Sequence, residues 1–471
     1  MSLTSLDGRL DAIPKTHPHL APYLPKLERF VREAPLDQLE RINVLSWAAQ
    51  NAVPPNDALD LFLTASSVGV FDLSWVLMCP LCGLRISTRG ALQQLSREAS
   101  CAFCRKAVSV SLDDNVEVVF AVSGAVRKLE PRPLETLEQV RAGFLDEFYS
   151  TSMVRNVMHG VIRDCMKAIR WIAPGESTTF TFELKPGPWI LAVPQVHAVA
   201  HLEAGEGGSA DQSLELLDGQ IVGGTKLATG PVKLTLRNRT TQRLLVLWGD
   251  TGWTQTFDWS QARTEFKPRI TAKQLLTNQT FRDLHRNEGV GTKGGMQLRS
   301  LAILFTDLTA STELYERVGD LRALDLVRKH FEVLEKVIAQ ERGAVVKTIG
   351  DAVMASFAEP DRALAAAAAM HRQMNLLGAS EALTLKIGVH VGSCVAIESN
   401  QQLDFFGRTV NVAARVQAKA GAGEVVITQD VLDHPAAHEI ARTQFGSMTH
   451  ERVHLKGIEG DVLVHRLHQH A

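Results

Sequence analysis

The chain has 471 residues, a formal net charge of −2 at pH 7 and 45% hydrophobic residues, values that are typical of globular proteins. This length predicts about two to four domains, while the balanced charge argues against a nucleic acid or an anionic membrane as partner. The N-terminus lacks a signal peptide and no apolar run approaches the ~18 residues needed to span a bilayer, so we expect a cytoplasmic protein.

The first part of the chain combines helices with a cluster of cysteines. Residues 1–75 place apolar side chains at three- and four-residue spacings and are predicted to form a helical N-terminal region. Residues 76–125 are predicted to form a zinc-ribbon-like module, because two Cys-x₂-Cys pairs have the spacing of a tetrahedral zinc site. The predicted ligands of this structural zinc are Cys79, Cys82, Cys101 and Cys104. Four free cysteines are the alternative interpretation.

The middle of the chain changes from a helical to a strand-like pattern. Residues 126–175 are predicted to form a helical segment, and residues 176–261 contain short alternating strands typical of a small β-sandwich. Residues 262–297 are polar and end in "NEGVGTKGG", which predicts a helical connector followed by a hinge. Residues 298–471 mix strands and helices, which predicts an α+β domain with helices over an open sheet.

Two carboxylates in the C-terminal part have the properties of ligands for a hard metal ion. Asp307 ends the hydrophobic strand in "LFTDLTAST", and Asp351 lies in the next predicted hairpin, "VVKTIGDAVMASF". Neighbouring strands lie about 4.8 Å apart, so both carboxylates can reach one metal centre if these strands pair. Magnesium prefers oxygen ligands, and paired carboxylates that share metal ions and phosphates are typical of phosphoryl chemistry. The alternative for Asp307 is a helix N-cap.

A third segment, "LDFFGRTVNVAAR", contributes polar groups of another kind. Asp404 precedes a predicted helix on which Asn411 and Arg415 are four residues apart and therefore share one face. An amide and a guanidinium on one face suit a phosphate and its sugar, whereas a solvated helix face is the alternative. Lys347 precedes Asp351 in a hydrophobic hairpin, where a buried charge needs a partner. Either these two side chains pair, or each serves a different site.

These segments resemble the catalytic domain of class III adenylate/guanylate cyclases over residues 298–468, which implies a ferredoxin-like, palm-type fold. The resemblance implies that Asp307, Asp351 and the backbone carbonyl of Leu308 bind two Mg²⁺ or Mn²⁺ ions per active site. It implies that Lys347 and Asp404 recognise the base. The other implied roles are transition-state stabilisation by Asn411 and Arg415, and phosphate binding by Thr309, Ser311, Thr312 and Lys456. Ala310 stands where the family commonly has glycine, a departure that bears on the reaction rate.

The resemblance also implies a homodimer, because in this family each site lies between two catalytic domains. One domain supplies the aspartates and its partner supplies the base-reading and transition-state residues, so Lys347 and Asp351 would serve opposite sites. The implied reaction converts ATP to 3′,5′-cyclic AMP and pyrophosphate, since a lysine donor and an aspartate acceptor match the hydrogen-bonding edge of adenine.

The N-terminal region resembles a segment of unknown function that precedes bacterial class III cyclase domains. The residues that carry this resemblance are "WVLMCPLC", "FELKPG" and "FRDLHRNE". A regulatory role with an unknown ligand or partner is the natural expectation for this region.

Other functions stay open at this point. They are guanylate cyclase activity, a non-catalytic ATP-sensing signalling module, and a zinc-ribbon regulator of nucleic acid with a vestigial cyclase domain. The presence of all six principal cyclase positions favours the enzyme. No dense basic or aromatic patch accompanies the cysteines, so nucleic acid is not expected as a partner.

Overall fold

The computed structural model describes residues 6–130, 132–258, 264–286, 295–309, 316, 318–377, 384–399 and 402–469. Within these residues the predicted α+β fold is confirmed, with strands in sheets of three, four, five, eight and two members. Ala310, Ser311, Thr312 and most of the predicted hinge lie outside the described residues.

Short helices form the beginning of the chain and pack on a three-stranded antiparallel sheet. The helices are Leu6–Leu10, Ile13–Thr16, Leu24–Glu33, Leu36–Leu39, Val44–Gln50 and Pro55–Ser67, and the strands are Phe71–Met78, Arg85–Arg89 and Val116–Val122. Trp47, Phe62, Phe71 and Phe120 are buried between them, and their rings make edge and stacked contacts. Such aromatic burial supplies much of the stabilisation of a small core.

A small hairpin lies in sequence between the last two strands of this sheet, and two helices follow the sheet. The hairpin pairs Glu98–Cys101 with Lys106–Ser109, and the helices span Leu137–Phe148 and Val157–Cys165. The first helix begins with a capping box, in which the Thr136 hydroxyl accepts the Gln139 N–H and the Gln139 side chain accepts the Thr136 N–H.

Two sheets enclose a separate core and form the predicted β-sandwich. Their strands are Met166–Ile172, Ser177–Leu184, Gly187–Val193, Ala198–Ser209, Asp211–Leu217, Gln220–Gly223, Lys226–Leu227, Gly230–Asn238 and Leu244–Asp250. In one central strand Val232, Leu234 and Leu236 point inward and alternate with more exposed residues, which is the period of a half-buried strand. The first strand lies in the segment whose sequence was interpreted as helical. The helix before it ends at Cys165, and "MKAIRWI" pairs with Leu244–Asp250 instead of continuing the helix.

The C-terminal domain is an eight-stranded sheet with helices on both faces. Its strands are Met296–Leu308, Gly343–Ile349, Ala352–Phe357, Leu385–Ser399, Gln402–Phe406, Glu424–Thr428, Ser447–His454 and Asp461–His468. Its helices are Asp320–Gln340, Pro360–Leu377, Arg408–Gln417, Gln429–Leu432 and Pro435–Gln444. The long helices Asp320–Gln340 and Pro360–Leu377 cover one face, where Leu304, Val353 and Phe357 are fully or almost fully buried.

The opposite face of this sheet joins the core of the N-terminal region. Ile303, Met354 and Phe405 belong to one continuous hydrophobic cluster with the N-terminal helices and the three-stranded sheet. Two short connector helices, Ala272–Leu276 and Gln279–Leu284, contribute to the same cluster. The N-terminal region therefore packs directly against the domain that carries the candidate active site.

Candidate active site and cysteine cluster

The two candidate metal-binding aspartates lie beside each other because their strands pair. In the antiparallel register Phe305 faces Met354, and the Thr306 hydroxyl accepts the Val353 N–H at 3.1 Å. Continuing this register by two residues places Asp307 opposite Ala352, which follows Asp351 and begins the strand Ala352–Phe357. The strand that carries Asp307 and the strand that follows Asp351 therefore pair, and the two carboxylates lie at the same end of these strands.

The electrostatics of this carboxylate pair favour a cation. Burial, and then the charge of Asp351, raise the pKa of Asp307 above its usual range. The Asp351 Oδ2 atom is buried and has no hydrogen-bond partner within the described residues. Two neighbouring carboxylates with an unsatisfied buried oxygen are costly to bring together without a positive partner.

Two side chains near Asp307 were not identified from the sequence. Lys386 lies opposite Asp307 in the register of the neighbouring strand, and both its charge and the Gln417 side chain oppose the rise in the Asp307 pKa. Gln417 comes close because Gly388 has no side chain. A Cβ atom at Gly388 would lie 2.2 Å from the Gln417 backbone nitrogen. Strand pairing could have indicated Lys386, but only the packing of a helix on the sheet reveals Gln417.

The candidate base-reading residues form an ion pair across distant parts of the sequence. Lys347 Nζ lies 2.7 Å from Asp404 Oδ2, and the two side chains are 40% and 16% exposed. Asp404 Oδ1 also accepts the Phe405 N–H at 2.8 Å. Lys347 therefore pairs with Asp404, and no ion pair joins it to Asp351 among the described residues. The ion pair that the sequence left open between Lys347 and Asp351 is not formed.

Asn411 and Arg415 occupy one face of the Arg408–Gln417 helix, and both side chains are exposed. Val412, Ala413 and Val416 on its other side are buried, so the packing of the helix fixes the direction of the polar face. Within the described part of the chain, neither polar side chain makes a hydrogen bond or an ion pair to the two aspartates.

Three further candidate ligands of phosphate or metal lie within the described residues: Thr309, Leu308 and Lys456. Thr309 follows the strand Met296–Leu308, and its buried hydroxyl has no hydrogen-bond partner among the described residues. Leu308 is buried at the end of that strand. Lys456 is exposed in the turn between the last two strands.

The four cysteines of the N-terminal region form a single compact cluster. The Sγ atoms lie within 4.8 Å of one another, with Cys79 to Cys104 at 3.9 Å and Cys82 to Cys101 at 3.8 Å. A disulfide would require about 2.05 Å, whereas four sulfurs around one zinc ion at about 2.3 Å lie about 3.8 Å apart. The geometry of the cluster therefore fits a tetrahedral metal ion.

The local backbone brings the four sulfurs together. Gly83 and Arg105 each follow the second cysteine of a pair, and both have positive φ values of 76° and 55°. The Gly83 N–H donates to the Cys79 carbonyl at 2.9 Å, and the Arg105 N–H donates to the Cys101 carbonyl at 2.8 Å. The two turns thus have similar geometry, although only one uses the residue that adopts positive φ without strain.

Hydrogen bonding within the cluster shifts the cysteine pKa values in opposite directions. The hydrogen bond from Cys104 is the largest cause that lowers the pKa of Cys101, while interaction with Cys101 raises the pKa of Cys82. His197, from the β-sandwich, accepts the Ala102 N–H beside the cluster at 3.2 Å. His197 has no local sequence signal as a neighbour of the cysteines, because it approaches the cluster only through tertiary packing.

No helix in the described part of the chain is both long enough and apolar enough to cross a membrane.

Comparison with known proteins divides the chain into two parts. Residues 296–469 match the adenylate and guanylate cyclase catalytic domain, and residues 17–283 match a family of unknown function (DUF5939). An uncharacterized protein of Mycobacterium tuberculosis is 27% identical over 209 residues, covering 44% of this chain and 52% of that protein. Adenylate cyclase 2 of Rhizobium meliloti is 31% identical over 146 residues, covering 27% of this chain and 40% of that protein.

Among solved structures, the adenylyl cyclase CyaB from P. aeruginosa aligns with 37% of this chain and 96% of that chain, at 21% identity and a TM-score of 0.31. The chain spans about half or less of the length of the curated relatives it matches. The N-terminal match includes more than half of the chain, so the protein belongs to the DUF5939 family of unknown function and carries a class III adenylate/guanylate cyclase catalytic domain at residues 296–469.

Proposed function

We propose that the protein is an adenylate cyclase that converts ATP to 3′,5′-cyclic AMP and pyrophosphate at sites shared by two chains. The observation that carries the choice of ATP is the contact between Lys347 and Asp404, whose side chains meet at 2.7 Å within the matched cyclase domain. This pair presents a donor and an acceptor side by side.

The hydrogen-bonding capacity of the pair suits adenine. Lys347 uses one of its three ammonium protons on Asp404, so two remain for the N1 acceptor of adenine. Asp404 has further lone pairs for the N6 donor. Guanine presents a donor at N1 and an acceptor at O6, so each contact would be mismatched. A site built on hydrogen bonds discriminates strongly against such a mismatch.

The carboxylate pair fits two Mg²⁺ or Mn²⁺ ions, with the Leu308 carbonyl as a further oxygen ligand. The fit rests on the unpartnered Asp351 Oδ2, and on the burial and the neighbouring Asp351 charge that together raise the pKa of Asp307. When bound, such ions neutralise phosphate charge and acidify the ribose 3′-hydroxyl.

The chain's own side chains would orient the nucleotide for an in-line displacement. The ribose 3′-oxygen forms a bond to the α-phosphorus while the bond from that phosphorus to the β-phosphate bridging oxygen breaks, and pyrophosphate leaves. Asn411 would donate to the ribose, and Arg415 would offset the charge that develops on the α-phosphate. Thr309, Ser311, Thr312 and Lys456 would hold the remaining phosphates.

A homodimer would bring these groups together. Asn411 and Arg415 are exposed and make no hydrogen bond or ion pair to Asp307 or Asp351 within the described residues, so they can serve the aspartates of a second chain. A symmetric dimer would then contain two equivalent sites, each built from both chains.

The cysteine cluster would bind one structural zinc ion, because its sulfur separations match a tetrahedral thiolate site. Four free thiolates persist in a reducing compartment such as the cytoplasm. The N-terminal region would regulate the enzyme, since it shares a hydrophobic core with the catalytic sheet.

The decisive experiment incubates the purified full chain with ATP and Mn²⁺ or Mg²⁺ and quantifies cyclic AMP, with GTP in a parallel reaction. We expect cyclic AMP from ATP, little cyclic GMP, and loss of both products in Asp307→Asn. Folded protein that forms no cyclic nucleotide would refute the cyclase function, whereas preferential formation of cyclic GMP would refute only the choice of base.

A further inference from the structure

An arginine from the N-terminal region reaches the strand that carries Asp404. Arg282 lies on the connector helix Gln279–Leu284, here called the clamp helix. Its Nη2 atom donates to the Leu403 carbonyl at 2.6 Å, and its guanidinium lies 5.9 Å from the centre of the Phe405 ring. The two residues that flank Asp404 are therefore both in contact with Arg282.

The same helix holds the strand that carries Lys347. The register of this strand shifts between Val345 and Lys347, which marks a β-bulge at Val346. The Val345 N–H donates to Gln279 Oε1 of the clamp helix at 2.8 Å. Bulges re-aim neighbouring side chains, so this contact fixes the backbone at the point that sets the direction of Lys347.

The clamp helix is itself firmly anchored in the N-terminal core. Phe281 is 2% exposed and packs edge-on against Trp75 at 5.9 Å between ring centres. At the N-terminus of the helix, the Asn278 side chain accepts the Phe281 N–H at 2.8 Å and donates to Asp60 at 3.1 Å. A side chain on such a supported element is held more precisely than one on a loop.

The charge on Arg282 complements that of Asp404. Burial lowers the pKa of Arg282 to about 10, and the negative charge of Asp404 opposes this shift. At neutral pH the guanidinium remains charged, so Asp404 pairs with Lys347 and also feels the positive charge of Arg282. A carboxylate that two cations attract changes its position less readily than one with a single partner.

We propose that Arg282 and Gln279 are positioning residues of the base site, which fix Asp404 and Lys347 in the paired geometry that recognises adenine. This proposal rests on the proposed function and extends it beyond the catalytic domain. Both residues lie in the part of the chain that matches the family of unknown function, and the base-reading pair lies in the cyclase domain. The sequence "FRDLHRNE" thereby gains a role through its second residue.

The test measures base discrimination by the full chain in two ways. The first is the ratio of kcat/KM for ATP to that for GTP. The second is the ratio of the Kd of 3′-deoxy-GTP to the Kd of 3′-deoxy-ATP. Both analogues lack the attacking hydroxyl and therefore report binding without turnover. The variants are Arg282→Ala, Arg282→Lys and Gln279→Ala, and the matched control is Arg286→Ala, an exposed arginine close by on the same segment.

We expect Arg282→Ala to reduce both ratios about tenfold, the effect of losing one hydrogen bond to a charged group. The loss should come mainly from weaker ATP use, with GTP little changed. Arg282→Lys keeps the charge but not the forked donor, so it should lie between the wild type and Arg282→Ala. If Arg282→Ala does not fold, Arg282→Lys and Gln279→Ala carry the test. Arg286→Ala should match the wild type.

Three outcomes would overturn the proposal. Variants of Arg282 and Gln279 could retain the wild-type ratios, they could lose ATP and GTP use equally, or the wild type could bind neither 3′-deoxy nucleotide. A wild type that binds 3′-deoxy-ATP selectively but forms no cyclic AMP would refute the cyclase function alone, because the binding ratio still reports the role of Arg282.

Discussion

The cysteine cluster and the cyclase site differ in how much of each one chain assembles. All four cluster sulfurs lie within 4.8 Å of one another. In the candidate cyclase site, Lys347 and Asp404 are paired, whereas Asn411 and Arg415 are exposed and make no hydrogen bond or ion pair to Asp307 or Asp351 within the described residues. A structural metal site can be completed by a short stretch of one chain. A site for a large, multiply charged substrate is built from several elements, and here we propose that it needs two copies of them.

The first prediction concerns substitutions in the proposed cyclase site, which have the largest expected effect on the rate of cyclic AMP formation. Asp307→Ala removes one of two proposed metal-binding carboxylates and should reduce cyclic AMP formation by on the order of 10³ or more. Asn411→Ala should reduce it by on the order of 10²–10³, as for loss of a transition-state donor. Initial rates at saturating ATP provide the measurement. Asp433→Ala, an exposed aspartate elsewhere in the domain, should leave the rate unchanged.

Mixing these two inactive variants then distinguishes a shared site from one within a chain. A mixed dimer contains one site with intact aspartates and an intact Asn411, so activity should return to about a quarter of the wild-type value when pairing is random. Lys347→Ala should likewise rescue Asp351→Ala, although the two residues are close in sequence. If subunit exchange is demonstrated and neither mixture recovers activity, each site is formed within one chain.

The second prediction concerns the cysteine cluster, which one chain assembles by itself. The double variant Cys79→Ser, Cys101→Ser should lose the roughly one zinc ion per chain that we expect in the wild type, and the hairpin Glu98–Cys101 with Lys106–Ser109 should unfold, because metal binding and folding are coupled. Elemental analysis and hydrogen exchange of residues 76–106 provide the measurements. Cys165→Ser, a cysteine outside the cluster, should retain the metal. Freshly reduced wild-type protein without zinc would contradict this prediction.

Features that depend on local sequence spacing could be predicted, whereas features that depend on the packing of distant segments could not. The cysteine cluster was predictable because the ligands lie in two short turns. The strand that ends at Asp307 and the hairpin that contains Asp351 were predictable from hydrophobic pattern and turn residues. The proximity of Lys386 to Asp307 depends on strand register, and that of Gln417 on the close approach allowed by Gly388.

In the N-terminal region, too, the contacts between distant segments could not be predicted from the sequence. Its helices and sandwich were predicted from periodicity, but their attachment to the catalytic sheet was not. Arg282 contacts the Leu403 carbonyl across more than a hundred residues of sequence, and the strand Met166–Ile172 is defined by its pairing partner. Neither feature has a local sequence signal, since both depend on which surfaces meet in the folded chain.

The third prediction changes only the base that the proposed cyclase site recognises. The proposed metal-binding and transition-state residues are kept. The double variant Lys347→Glu, Asp404→Cys carries the residues that guanylate cyclases have at these positions. It should reduce kcat/KM for ATP by on the order of 10² and shift preference toward GTP, because donor and acceptor now match guanine. Parallel assays with both nucleotides provide the measurement. Lys336→Gln, at an exposed position, lowers the net charge by one unit, as the double variant does, and controls for net charge. Unchanged ATP preference would show that these residues do not recognise the base.

The fourth prediction concerns acid stability and has the smallest effect. His371, 4% exposed in the helix Pro360–Leu377, has a pKa that burial lowers to about 4. In the unfolded chain this imidazole takes up a proton near pH 6.5, so the folded state binds fewer protons between pH 6.5 and about 4. Stability is therefore fully present above pH 6.5 and falls as the pH decreases, by at most about 3 kcal/mol from this group.

His371→Met should reduce this acid sensitivity in the cyclase domain, whereas His438→Met, at an exposed position, should not. All seven tryptophans precede residue 260, so tryptophan fluorescence reports the N-terminal region and hydrogen exchange of the helix Pro360–Leu377 reports the cyclase domain. Acid should also release zinc from the cysteine cluster, because protons compete for thiolates. The substitution should therefore protect the helix between pH 6.5 and 4 without changing the pH of zinc release. Equal protection of both regions would mean that their acid unfolding is a single event coupled through the shared hydrophobic core.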